Sequence, residues 1–312
     1  MLKLSKTAFY ILCILIGINL IRTILMDEML LKRNLKLFGM KERIPTATII
    51  QSLLILIILT SIGCSTVPLT GRRQLSLVPE SDVMALSLIE YDKFIKSNKL
   101  STDKNKSALV KKVGERIAKA VEAYMASAGL SKNLDGYKWE FNLVEDPSVN
   151  AWCMPGGKVV VYTGLLPVTQ TEAALAAVMG HEIAHAVARH GNERMSDQMF
   201  IQYGSAGLSA ALAQKSTQTQ QIALGAFGIV SQGGFILPFS RLHEYEADYM
   251  GIIFMAMAGY DPNESIPFWE RMSQKGGSKQ PEFLSTHPVD QNRIDRLKSK
   301  MPDAMAYYKK TK

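Results

Sequence analysis

The sequence predicts an α+β domain, predominantly α-helical, with a small β-sheet beside one central helix. Three observations carry this expectation. Most of the chain beyond residue 80 repeats its apolar residues at helical spacing. Only two short segments, Tyr137–Val144 and Lys158–Thr163, have the pattern of strands. The strongly apolar segment Thr169–His190 has helix start and stop signals at its ends, and it holds His181-Glu182-Ile183-Ala184-His185.

The first 63 residues read as a leader. An apolar stretch from Ala8 to Leu25 is broken by Asn19 and Arg22, so residues 1–39 read as an upstream extension. Residues 40–63 have the grammar of a lipoprotein signal peptide: basic Lys41 and Arg43, a short apolar run centred on Leu53–Leu59, then small residues before Cys64. Cys64 is the expected lipidation site. Residues 64–79 form the expected lipidated tether, and residues 80–312 the folded domain. Of the formal net charge of +8, the leader supplies +5, from eight Lys or Arg against three acids. The domain is therefore only mildly basic, and no basic stripe interleaved with aromatics suggests nucleic acid. With three cysteines in all, and Cys64 assigned to lipid, no disulfide framework is expected, and Cys153 reads as a packed thiol.

Within the domain, Glu80–Lys96 and Thr102–Ser127 are predicted helices, the second with Val110, Val113, Ile117 and Val121 on one face. The two strands follow, with Pro155-Gly156-Gly157 as the turn before the second. Thr169-x-x-Glu172 reads as a capping box and Gly191 as the stop of the central helix. Small and apolar residues from Gly204 to Gly234 suggest a helical hairpin. Further helices are expected at Ser240–Ala258, Glu264–Gln274 and Val289–Ser299.

The central helix carries the chemistry. His181 and His185 are four apart, so both imidazoles reach one ion. Two nitrogen ligands on a rigid helix suit tetrahedral zinc, and one zinc per chain is expected. Glu182 sits at the edge of that face, placed as general base toward a zinc-bound water. A catalytic zinc needs a third protein ligand and one open position. Ser240–Asp248 offers Glu244, with Asp248 four residues on to orient a ligating histidine. Spacing alone leaves His243 and Glu246 as other candidates. Lys158, Val159, Val160, Val161 and Tyr162 form a strand expected to hold extended substrate by backbone pairing. The simpler reading is that Val159 and Val161 fill the core.

These segments, with Pro68–Leu75, Asn150-Ala151, Pro155–Gly157, Pro238–Arg241 and Ser285–Pro288 followed by Arg293, resemble the gluzincin peptidases that include the HtpX and CAAX-prenyl proteases, and especially their bacterial lipoprotein branch. The likeness runs from about residue 64 to 300. It implies a zincin-like fold, Glu244 as third ligand and Asp248 behind the ligands. It also implies a zinc metalloendopeptidase cleaving internal bonds of extended or misfolded cell-envelope proteins, in envelope quality control. The expected location is the envelope of a Gram-negative bacterium, lipid-anchored and facing the periplasm, the outer membrane preferred. An extended polypeptide is the expected partner, and the oligomeric state is left open. The intact Glu182 favours an enzyme over a zinc-containing holdase. The lack of apolar spans after Cys64 argues against a membrane-embedded protease. His287, in the family's H-P position, has three readings: an oxyanion-stabilising catalytic group, a zinc ligand that plugs the open position, or a surface histidine.

Overall fold

A computed structural model describes residues 64–274 and 281–310; the extension and signal segments expected over residues 1–63 lie outside these. The described chain falls into two compact units. One comprises Cys64 and Ser65 with Arg73–Leu75; the other comprises Thr66–Arg72 and the chain from Ser76 onward. Strands β1 (Cys64–Thr66) and β2 (Arg73–Leu75) make a two-stranded sheet.

The main unit is helical around a three-stranded sheet, as its patterning predicts. Helix α1 spans Glu80–Ser97 and α2 spans Lys104–Ser127. Asp103 caps α2 by accepting from the amides of Asn105 and Lys106, which satisfies two of the donors a helix start leaves free. The face predicted by periodicity is buried: Val110, Val113, Ile117 and Val121 are all inaccessible. Each such side chain contributes about 1.5–3 kcal/mol by leaving water.

The sheet holds β3 (Glu140–Val144), β4 (Ala151–Met154) and β5 (Lys158–Tyr162) in the order β3-β5-β4. Strand β5 runs parallel to β3, with Glu140 opposite Lys158, and antiparallel to β4, with Ala151 opposite Val161. Gly156 and Gly157 turn the chain between β4 and β5 at φ of 88° and 82°, a region where side chains with a Cβ are strained. The sequence pattern missed β4. Its faces are both covered: Ala151 and Cys153 join the main core, while Trp152 and Met154 pack with Tyr91, Val144, Val160 and Tyr162.

Short helix α3 (Leu166–Thr169) precedes the central α4 (Glu172–Val187). The cap of α4 is Thr171, accepting from the Ala174 amide, rather than the expected Thr169, whose hydroxyl donates to the Leu166 carbonyl. Nor does Gly191 stop this helix. The chain turns at Arg189, in the left-handed region at φ 57°, and resumes as α5 (His190–Ala211). Helix α6 (Thr217–Ser231) packs back on α5 as the expected hairpin. Helix α7 (Leu237–Met257) then crosses α4, and α8 (Ser265–Gln274), α9 (Glu282–Thr286) and α10 (Gln291–Lys310) complete the unit. No described helix is long and apolar enough to cross a membrane.

Two glycines set the α4–α7 crossing. A Cβ on Gly180 would lie 2.8 Å from the Gly251 carbonyl oxygen, and one on Gly251 would lie 2.9 Å from the His181 amide nitrogen. The backbones therefore touch, one residue before His181 and three after Asp248.

Candidate metal centre

That contact brings the faces of α4 and α7 carrying His181, His185, Glu244 and Asp248 together in the interior. Four side chains converge there: His181, His185, Glu244 and His287, all buried. His181 Nε2 lies 3.1 Å from His185 Nε2 and 3.3 Å from His287 Nδ1. Glu244 lies 3.4 Å from each of the first two nitrogens and 3.0 Å from His287 Nδ1. Tetrahedral zinc with bonds of ~2.0–2.1 Å separates its donors by about 3.3 Å. Three imidazole lone pairs and a carboxylate aimed at one point also repel one another unless a cation sits among them. The residues thus fit zinc, and they supply the nitrogen and oxygen donors it prefers.

Glu182 stands at the rim of this cluster, its Oε1 4.0 Å from His181 Nε2 and 3.6 Å from His287 Nε2. That oxygen is buried without a hydrogen-bond partner. Burial pushes Glu182 upward, while His287 and His181 pull it the other way. Burial also drives His185 well below the usual histidine range. At His181 burial opposes charge, but hydrogen bonds to Asp248 and Glu244 outweigh it and lift the group to about 9. Burial works against the charge on Glu244 too, yet His185, His181 and His287 hold it well below the carboxylate range.

Asp248 lies on the far side of His181 from the cluster. His181 Nδ1 is 3.0 Å from Asp248 Oδ1. Arg293 donates to both oxygens of Asp248 at 2.5 and 2.8 Å, approaches Glu244 Oε2 at 3.0 Å, and donates to the Pro288 carbonyl at 3.1 Å. Its guanidinium also covers the Trp269 ring. Arg293 therefore holds the loop that carries His287. The two other acids or bases considered on α7 face elsewhere: Glu246 meets His190 and Arg72, and His243 meets Glu193.

One expectation fails on strand order. Lys158, Val159, Val160, Val161 and Tyr162 form β5, the middle strand, whose backbone is already paired on both sides. It has no edge to offer a substrate. Lys158 instead pairs with Glu140 at 3.1 Å and donates to the Lys138 carbonyl. The edge strand beside α4 is β4, which sends Cys153 toward the helix. Burial, then the charge of Glu182, raises the Cys153 thiol well above its usual value. What the motifs did not reveal is a polar group on the far side of His185: His190, Glu193, Glu246 and Arg72. A signal was present, since His190 follows His185 by five residues and Arg72 lies in a motif already noted.

Comparison with known proteins agrees with this geometry. The sequence profile described as Peptidase family M48 matches residues 111–301. The mitochondrial metalloendopeptidase OMA1 of Schizosaccharomyces pombe is 37% identical over 190 residues, covering 60% of this chain and 53% of that protein. The human metalloendopeptidase OMA1, mitochondrial, is 32% identical over 246 residues, covering 76% and 46%. The beta-barrel assembly-enhancing protease of Escherichia coli is 34% identical over 163 residues, covering 50% and 33%. The chain spans about half the length of the first of these relatives. The expected location in a Gram-negative envelope, facing the periplasm, is overturned here. Relatives from fungi, a plant and animals, several of them at higher identity than the bacterial protease, carry mitochondrial names.

Proposed function

The chain belongs to peptidase family M48, a family of zinc metallopeptidases, and on that premise we propose that it cleaves internal peptide bonds of extended polypeptides. The observation that carries this reading is the convergence of four buried side chains whose donor atoms lie within 4.8 Å of one another, beside a Glu182 oxygen that has no hydrogen-bond partner. His181, His185 and Glu244 would hold the zinc. Bound zinc supplies Lewis acidity, polarising the attacked carbonyl and easing the deprotonation of water. Glu182 accepts that proton: it is buried, close to the donors, and free of competing hydrogen bonds. Asp248 fixes the His181 ring, and Arg293 fixes Asp248. Strand β4 replaces β5 as the element that aligns substrate, because an edge strand beside α4 can pair with an extended chain. The narrower expectation of envelope quality control suits the printed name of the beta-barrel assembly-enhancing protease and not those of the mitochondrial relatives.

Zinc retention in two variants tests the ligand set. Glu244→Ala is expected to lose tight zinc binding. Asp248→Asn is expected to weaken it only ~10–100-fold, as for partners behind the ligands. Metal content after dialysis against a graded chelator gives the order, and the reverse order would move the ligand to another acid.

His287 supports a second reading of the same site. Its Nδ1 lies in the donor cluster, 3.0 Å from Glu244, where it would be a fourth ligand to a metal that in catalysis needs an open position. In this arrangement His287 would close the site, and cleavage would require the turn at the end of α9 to withdraw it. His287→Ala is then expected to raise the rate of peptide cleavage. A fall of ~10²–10³ with zinc retained would instead make His287 the oxyanion-stabilising group.

Anchoring through an acylated Cys64 is a separate proposal, supported by the signals at residues 40–64 alone. A mature protein that begins upstream of Cys64, or carries no lipid mass there, rules it out.

A further inference from the structure

The two helix-borne histidines are held from behind in different ways. His181 Nδ1 meets a carboxylate, Asp248, at 3.0 Å. His185 Nδ1 meets another imidazole, His190 Nδ1, at 2.9 Å. A ligating histidine usually donates its second N–H to a carboxylate, a carbonyl or water. A neutral imidazole accepts such a bond only if its own proton is kept on the other nitrogen.

The surroundings of His190 meet that condition. With Nε2 of His185 facing the cluster, its proton lies on Nδ1, so His190 Nδ1 must be the bare acceptor. The His190 proton then lies on Nε2, which is 2.9 Å from Glu246 Oε2. Donation runs one way, from His185 to His190 to Glu246. Glu246 is itself fixed: Arg72 donates to it through Nε at 2.8 Å, and the Thr70 hydroxyl at 2.5 Å. Arg72 also grips both oxygens of Glu193, at 2.9 and 2.7 Å. Glu193 in turn meets His243 Nε2 at 2.8 Å, and the His243 ring stacks on His190 with centroids 4.3 Å apart. Arg72 is delivered by a tight turn in which the Val67 amide donates to the Arg72 carbonyl and the Gly71 amide to the Val67 carbonyl.

We propose that His190 is a positioning residue for His185, accepting its Nδ1–H and so fixing the ring plane and tautomer in which Nε2 faces the metal. The inference rests on the zinc reading above. His190 touches no substrate; its effect is on metal affinity.

Three variants test it by zinc competition with a chromophoric chelator, alongside thermal unfolding of the metal-free protein. His190→Leu removes the acceptor while Glu246 keeps Arg72 and Thr70, so no buried carboxylate is orphaned. Its zinc dissociation constant is expected to rise ~10–100-fold. His190→Asn places an oxygen near the former Nδ1 and is expected to recover most of the affinity. His190→Gln reaches toward Glu246 instead and is expected to recover little. A purely structural role would rank the variants by unfolding temperature, not by which nitrogen is mimicked. Wild-type affinity in a folded His190→Leu protein overturns the inference. If that variant fails to fold, equal affinities of the Asn and Gln variants, or the reverse order, overturn it. A wild-type protein that binds no zinc sinks the metal reading itself, whereas zinc binding unchanged across the series sinks only the role of His190.

Discussion

Glu182→Gln is expected to keep its zinc and lose nearly all peptide hydrolysis. The substitution preserves the size of a side chain that is almost completely buried, so the fold survives. It removes a carboxylate at the cluster's rim that can take a proton without giving up one of the three proposed ligands. General-base catalysis contributes ~100-fold or more, so turnover should fall at least that far. The amide costs little elsewhere, because Oε1 has no hydrogen-bond partner to lose. Cleavage of a denatured protein, with metal content measured on the same sample, checks both halves. Hydrolysis at the wild-type rate would mean that another group activates the water. Loss of zinc together with activity would make Glu182 a ligand and not a base.

Arg293→Met is expected to produce the largest loss of stability of any single change near the site. The guanidinium is buried and compensates Asp248 and Glu244 together while holding the Pro288 carbonyl. Burial works against this cation, but the carboxylates around it keep it firmly protonated. Methionine retains the contact with Trp269 and leaves two buried carboxylates to share His181 as their remaining cationic partner. Breaking a buried pair in this way costs about 3–5 kcal/mol. For a domain of this size, each kcal/mol lowers the unfolding temperature by roughly 2–4 °C, so a drop on the order of 10 °C is expected in the metal-free protein. The double variant Arg293→Met with Asp248→Asn should recover part of it. Calorimetry showing no shift would remove Arg293 from the scaffold of the site.

What could be read from the chain in advance was what is local in it. His181, Glu182 and His185 lie within one and a half turns of a single helix, so spacing alone places them. Glu244 and Asp248 are likewise one turn apart, although choosing Glu244 over His243 and Glu246 took the family pattern. In the structure Glu244 joins the cluster, while Glu246 and His243 are committed to His190 and Glu193. Strand order was not legible. Nothing within Lys158–Tyr162 says that both of its edges are filled, because its partners lie outside it. Strand β4 escaped because four residues packed on both faces show no alternation against water. Arg189 overrode the glycine signal by adopting a left-handed conformation two residues early. The polar group behind His185 depends on Arg72 reaching Glu193 and Glu246 across separations of 121 and 174 residues, which no local pattern encodes.

The glycine pair at the crossing of α4 and α7 makes main chain, not side-chain packing, the gauge that spaces the two halves of the ligand set. Gly180 meets Gly251 with no atoms between them that could change rotamer. Side-chain cores loosen gradually under heat or substitution, but two touching backbones have no slack to give. Trimming the separate apolar cluster around Tyr91 and Val160 should therefore lower the unfolding temperature while leaving zinc affinity where it was. A single methyl group at residue 251 should do the reverse of sparing the centre: it would pry the helices apart at His181, widening the cage before the domain as a whole gives way.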